Sequence, residues 1–152
     1  MTELTETVDV DVPPGRAWAA LTDWVRQGEW MLATDVRTVG GPAEGVGGRL
    51  EARTGVPMPG GAHLGVLDAM QITRWEPPRR VDVRHTGRVV RGSAVFEVRP
   101  RGEGATVVWT EVLDLPLGRG GRLGWRFVRP VVRAGLSLSL RRFAAFARRY
   151  PA

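Results

Sequence analysis

From about residue 34 to residue 113 the chain is a succession of short apolar–polar alternations separated by turns of a few residues. Val81, Val83 and His85 alternate with Asp82, Arg84 and Thr86. Val90, Ala94, Phe96 and Val98 alternate with Arg91, Ser93 and Glu97. Val107, Trp109, Glu111 and Leu113 share one parity, as do Leu50, Ala52 and Thr54. Side chains two apart share a face of a strand, so each run reads as a half-buried strand. Asp35 to Val39 and Val66 to Trp75 complete the set. The dividers are Glu76-Pro77-Pro78-Arg79 and Arg101-Gly102-Glu103-Gly104, turn sequences too short to hold a helix. A parallel pair needs a crossover of roughly a dozen or more residues, so the strands are expected to pair antiparallel as a meander. Residues 55–62, rich in Gly and Pro, are expected to be an irregular mobile loop.

The flanks differ. Val8, Val10 and Val12 form one more strand, ended by Pro13-Pro14-Gly15. Proline is tolerated at a helix start, where the first amides lack helical partners. Arg16 to Trp24 then places Trp18, Leu21 and Val25 at helical spacing, and a second short turn is expected around Gln27 to Met31. From Arg122 to Tyr150 a helical stripe runs through Trp125, Val128, Val132, Leu136, Leu140, Phe143 and Ala147. Pro130 should kink this helix or mark its first regular turn.

At 152 residues the chain is expected to be a single domain, 1–152, large enough to bury a core without staples. It has no cysteine, which excludes thiolate chemistry and Cys-ligated zinc. No run approaches the roughly 18 apolar residues of a membrane span. The start Met-Thr-Glu-Leu-Thr-Glu lacks a signal peptide's features, so a cytoplasmic location is expected. All 22 basic residues are arginine. Residues 1–117 carry 13 Arg against 16 acidic residues, whereas residues 118–152 carry nine Arg and no acid.

The order of strand, short helices, six strands and long helix is the helix-grip arrangement, and particular residues strengthen the match. Val12-Pro13-Pro14-Gly15-Arg16-Ala17-Trp18-Ala19-Ala20-Leu21-Thr22-Asp23 resembles the opening of the START-like (SRPBCC) superfamily. Trp30 resembles the tryptophan that ends the family's second short helix. Gly45-Val46-Gly47-Gly48-Arg49 resembles its glycine turn, and Trp75-Glu76-Pro77-Pro78-Arg79-Arg80 its acidic-Pro-Pro turn. Asp114-Leu115-Pro116-Leu117-Gly118 with Leu123-Gly124-Trp125 resembles an actinobacterial group. The resemblance, to bacterial polyketide cyclase/dehydrase-type members, covers nearly the whole chain. It implies an α+β fold: a curved antiparallel sheet of about seven strands wrapped around a long C-terminal helix, with two short helices after the first strand. It also implies an internal cavity for an apolar ligand, because the sheet grips the helix without packing flat against it.

Strand parity assigns Asp68, Met70 and Ile72 to the inner face, with Val81, Val83 and His85, then Val90, Ala94 and Phe96, then Trp109, Glu111 and Leu113. The polar exceptions are the candidates. Glu111 lies between Trp109 and Leu113, where a carboxylate is costly unless paired or wet. It is either a polar pocket group or the partner of a nearby arginine. His85 can orient a ligand or act as an acid–base, or be a satisfied strand-end histidine. Asp68 belongs either to the pocket or to the turn before its strand. His85 and Glu111 are thus the catalytic candidates. Trp30, Met70, Phe96, Trp109, Leu113 and Trp125 join Asp68, His85 and Glu111 as expected ligand contacts. His63 sits beside the Gly/Pro loop as a gate contact or a solvated histidine. Two histidines so placed make no metal motif, and no phosphate loop or nucleophilic triad appears, so neither a metal nor a cofactor is expected.

The leading functional expectation is binding or transport of an apolar or aromatic small molecule. The alternative is a polyketide aromatase/cyclase working by aldol condensation and dehydration. Arg122, Arg126, Arg129 and Arg133 form a further helical stripe. It is a solvated face, or a surface for peripheral association with anionic lipid or RNA. No stacked-aromatic motif accompanies it, which argues against nucleic acid.

Overall fold

The computed structural model describes residues 2–61 and 63–152, with the side chains of all of these except Pro57 and His63. Strand β1 (Thr2–Val10) leads into helix α1 (Pro14–Leu21) and a 3-10 turn (Trp24–Glu29). Strands β2 (Thr34–Gly40), β3 (Arg49–Pro57), β4 (His63–Glu76), β5 (Arg80–His85), β6 (Gly92–Arg101) and β7 (Gly104–Leu113) follow. Helix α2 (Gly118–Arg149) ends the chain. The seven strands form one antiparallel sheet in the order β1-β7-β6-β5-β4-β3-β2. The chain therefore passes from one edge of the sheet to the other through α1 and the 3-10 turn, then meanders back. This is the expected α+β helix-grip architecture.

The segment 55–62 departs from the expected loop. Gly55 to Pro57 continue β3, and Pro59–Gly61 form a tight 3-10 turn. Ala62 and the side chain of His63 lie outside the described residues. Gly55 pairs with Gly65 across the hairpin. A Cβ at Gly65 would run into the Thr54 carbonyl oxygen and stand 2.6 Å from the Gly55 Cα. The glycines thus permit a close backbone approach that carries both strands past the expected break.

A register shift between Ile72 and Arg74 inserts one residue into β4 opposite β5. Ile72 and Trp75 consequently both turn toward the core, where three residues of regular strand would have put them on opposite faces. Trp75 meets the Trp18 ring edge-on at 5.1 Å between centroids, which ties α1 to the sheet.

The C-terminal half of α2 forms the other core wall. Leu136, Leu140, Phe143, Phe146 and Ala147 are buried, and Phe143 stands edge-on to Trp30 at 5.0 Å. Arg16 donates to the carbonyls of Tyr150 and Arg148, satisfying acceptors that the helix end leaves free. The Tyr150 hydroxyl donates to Asp23.

The helix begins at Gly118, four residues earlier than expected, and its N-terminal half is largely unsheltered. Val128, expected on the core stripe, is half exposed. Leu123, Phe127 and Val131, at four-residue spacing, are 58, 76 and 71 % exposed. They form a second apolar stripe on the opposite side of the helix from Trp125 and Val132, which pack toward the core. Arg122, Arg126 and Arg129 lie alongside and are exposed, while Arg133 pairs with Glu6. No described helix is long and apolar enough to cross a membrane.

Candidate functional site

Between the concave face of the sheet and α2 lies a cavity of about 320 Å³. It is lined from β3 by Ala52 and Thr54, from β4 by Asp68 and Met70, and from β5 by Val83 and His85. Ala94 and Phe96 of β6, Trp109 and Glu111 of β7, and Val132, Gly135, Leu136 and Ser139 of α2 complete most of the wall. Strand parity thus delivers Asp68, Met70, His85, Phe96, Trp109 and Glu111 to one cavity wall.

The three polar candidates touch one another. His85 Nδ1 lies 2.9 and 2.8 Å from the two oxygens of Asp68, and its Nε2 lies 3.2 Å from Glu111 Oε2. Trp109 Nε1 donates to Glu111 Oε1 at 2.9 Å. Among the described residues Glu111 therefore pairs with a histidine and an indole and with no arginine. The sheet register explains the meeting. β6 separates β5 from β7, and the residues it places beside His85 and Glu111 are Gly92 and Ala94. With no larger side chain between them, the imidazole and the carboxylate reach each other across the intervening strand. Gly92 has a second reason to be glycine: its φ is 117°, and a Cβ there would strike the Val112 carbonyl oxygen.

His85 is 8 % exposed. Burial alone would lower its pKa, but hydrogen bonds to Asp68 and Glu111, and their charges, outweigh that and raise it to about 9. The ring is an imidazolium at neutral pH, held between two carboxylates. Both of its N–H groups are engaged, so as it stands it offers neither a free base nor a free donor. The spare hydrogen-bonding capacity of the cluster lies on the carboxylate oxygens.

Three expected contacts do not line the cavity. Trp30 is fully buried behind its wall, packed edge-on to Trp109 at 6.2 Å and to Phe143. Leu113 has the inward parity but closes β7, two residues beyond Glu111 and opposite Thr2 and Gly92. Trp125 packs half-buried against the core nearly two turns before Val132, the first α2 residue to reach the cavity. Aromatic size marked all three, yet size alone does not distinguish a cavity wall from packing behind it.

Other lining residues were not anticipated. Trp24, Gln27 and Met31 come from the 3-10 turn and its exit, and Leu32 follows them. Ser139 Oγ accepts the Leu32 N–H at 3.0 Å, locking that exit to α2. The available signal was the pair of small residues Gly135 and Ser139 on the inner face of an otherwise bulky helix. Small side chains there leave the space that the cavity occupies. Among the described residues no cluster of His, Asp and Glu is arranged to hold a metal ion.

The family model described as polyketide cyclase/dehydrase and lipid transport matches residues 1–147. No curated protein matches the chain. A crystal structure from Thermus thermophilus superposes with a TM-score of 0.75 at 17 % identity, covering 96 % of this chain and 97 % of that one. One from Nitrosomonas europaea gives 0.70 at 16 %, covering 97 % and 94 %. A solution structure from Thermobifida fusca gives 0.68 at 19 %, covering 97 % and 95 %. At these identities the likeness establishes a shared fold and leaves chemistry to the site. By its match along nearly the whole sequence, and by the helix-grip fold around this cavity, the chain belongs to the polyketide cyclase/dehydrase and lipid transport family.

Proposed function

We propose that the protein binds an apolar, ring-bearing small molecule in the cavity and acts as its carrier. One observation carries this reading: a partly open cavity of about 320 Å³ whose wall is apolar apart from a few polar groups, chiefly one cluster centred on the buried His85. Ligand sites generally combine such walls with a few placed polar groups. The neutral fluorophore N-phenyl-1-naphthylamine is the direct probe. Saturable binding to the native protein is expected, and Gly135→Leu should weaken it at least ~tenfold by filling the space. A Cβ at Gly135 meets no atom within 4 Å, and leucine exceeds glycine in helix propensity by about 0.8 kcal/mol. The variant should therefore melt no lower than the native protein. Undiminished probe binding to a folded Gly135→Leu protein would place the probe outside the cavity and sink the reading.

The family description also names cyclases, and the clustering of Asp68, His85 and Glu111 in one wall favours that second reading. A bound poly-β-keto chain would fold against Phe96 and Trp109. A carboxylate would take the proton from an activated methylene, and the enolate carbon would bond to a carbonyl carbon of the same chain. The carboxylic acid so formed would return the proton to that carbonyl's oxygen. Removal of a second α-proton then expels the hydroxyl as water, with His85 holding the two carboxylates in place. Under this reading Glu111→Gln loses turnover of a poly-β-keto thioester ~100-fold or more while its melting curve stays cooperative. Turnover retained by a folded Glu111→Gln protein, or absent from the native one, removes it.

A third role concerns the surface. The exposed Leu123–Phe127–Val131 stripe and its neighbouring arginines fit an anionic lipid surface, where an amphipathic helix lies flat with apolar residues down and basic residues at the headgroups. Only four residues separate α2 from β7, so this stripe sits toward the end of the sheet where Asp68, His85 and Glu111 lie. Docking there would bring the ligand site toward the membrane.

A further inference from the structure

We infer that the cavity selects ligands presenting a hydrogen-bond donor or a positive charge to the Asp68–His85–Glu111 wall, and rejects carboxylates. This rests on the ligand-binding reading above and adds the chemical class of the ligand.

The case is an inventory of donors and charges. Both imidazole N–H groups are spent on Asp68 and Glu111, and the Trp109 indole N–H is spent on Glu111. Trp24 donates its indole N–H to the Ala43 carbonyl, and Gln27 donates one of its two amide N–H groups to the Leu21 carbonyl. Thr34 gives its proton to the Leu32 carbonyl, and Thr54 shares a bond with Thr34. The wall's side-chain donors thus point mostly into the protein. Ser139, whose oxygen accepts from Leu32, keeps a hydroxyl proton to offer.

Charge leads the same way. Among the described lining residues two carboxylates face one imidazole, and no arginine joins them despite 22 in the chain. Even with the imidazole protonated, the cluster keeps one negative charge in apolar surroundings. Such a charge is costly to bury unless something pairs with it. A phenol, alcohol or protonated amine completes the cluster, through oxygens that retain free lone pairs. A ligand carboxylate would meet like charge at short range in a medium that screens poorly.

The test uses ligands of one shape on the native protein at pH 7.5, displacing N-phenyl-1-naphthylamine. They are naphthalene, 2-naphthol, 2-naphthylmethylamine and 2-naphthoate. A hydrogen bond to a charged group is worth roughly 1.5–3 kcal/mol, about tenfold or more in affinity. The alcohol and the amine should therefore bind at least ~tenfold tighter than naphthalene, and the carboxylate at least ~tenfold weaker than the alcohol. Asp68→Asn and Glu111→Gln, each removing one negative charge, should narrow the alcohol–carboxylate gap. The native series alone decides if either variant fails to fold. Naphthoate binding as tightly as naphthol, with naphthalene also bound, overturns the donor inference and leaves the cavity reading standing. Failure of the probe and all four compounds to bind overturns the cavity reading and this inference together.

Discussion

Raising the pH from 6 to 9.5 should cost the folded protein on the order of 3 kcal/mol of stability through His85 alone. The ring is held at about 9 in the folded state against an ordinary 6.5. A base whose folded pKa is raised contributes stability that is complete below its unfolded value and is lost as pH climbs through the folded value. The loss should therefore begin near 6.5 and be largely complete a little above 9. Each tenfold gain in proton affinity on folding corresponds to about 1.36 kcal/mol, which sets the scale, and with His85 8 % exposed the interaction is little screened by solvent. Urea denaturation at stepped pH gives the curve. His85→Gln is the control: neutral throughout, it should be weaker than the native protein at pH 6 and should lack the decline between 6.5 and 9. Tyr150, hydrogen-bonded to Asp23, titrates above the usual tyrosine range and so leaves this window clear. Ring ¹⁵N shifts at pH 7.5 report the same proton directly and should show both nitrogens protonated. A native stability flat from pH 6.5 to 9, with a neutral ring, would mean that the two carboxylates do not hold it.

That cluster also marks how far the sequence is legible. Period-two alternation put Asp68, His85 and Glu111 on the inner face, because parity within a strand follows from the pleat alone. It could not say that they touch. Contact depends on register between strands and on what the intervening strand places there, and the decisive residues, Gly92 and Ala94, carry little signal by themselves. The same limit misplaced Leu113, correct in parity but beyond the cavity, and Trp30 and Trp125, chosen for bulk. The antiparallel sheet and the long helix were legible because short turns exclude crossovers and the apolar stripe keeps helical period. Residues 55–57 were not, since Gly and Pro count against a strand when read singly. Gly55 facing Gly65 supports one when read as a pair. On α2, one core stripe was legible, but its exposed counterpart was not, because a residue's spacing does not reveal whether anything packs against it.

That exposed stripe carries the other large expected effect. The native protein should bind vesicles containing phosphatidylserine on the order of 100- to 1000-fold more tightly than vesicles of phosphatidylcholine alone. Each basic residue near an anionic surface contributes about 1 kcal/mol, and Arg122, Arg126 and Arg129 are exposed beside the stripe, with Arg119 one turn earlier. No acidic residue from 118 to 152 opposes them. The preference should shrink as salt is raised to 0.5 M, because the Debye length falls from about 10 Å at 0.1 M toward a few ångströms. Charge alone would leave the apolar side chains idle, so two variants divide the contributions. Arg122→Gln combined with Arg126→Gln should remove most of the lipid-charge preference. Phe127→Ser should weaken binding about tenfold or more at every lipid composition, since a buried phenyl ring is worth roughly 1.5–3 kcal/mol. Phe127 is 76 % exposed, so its replacement should leave the melting temperature and cavity binding unchanged. Equal affinity for charged and neutral vesicles, or full binding by Phe127→Ser, would rule out the membrane role and leave the cavity's function to stand by itself.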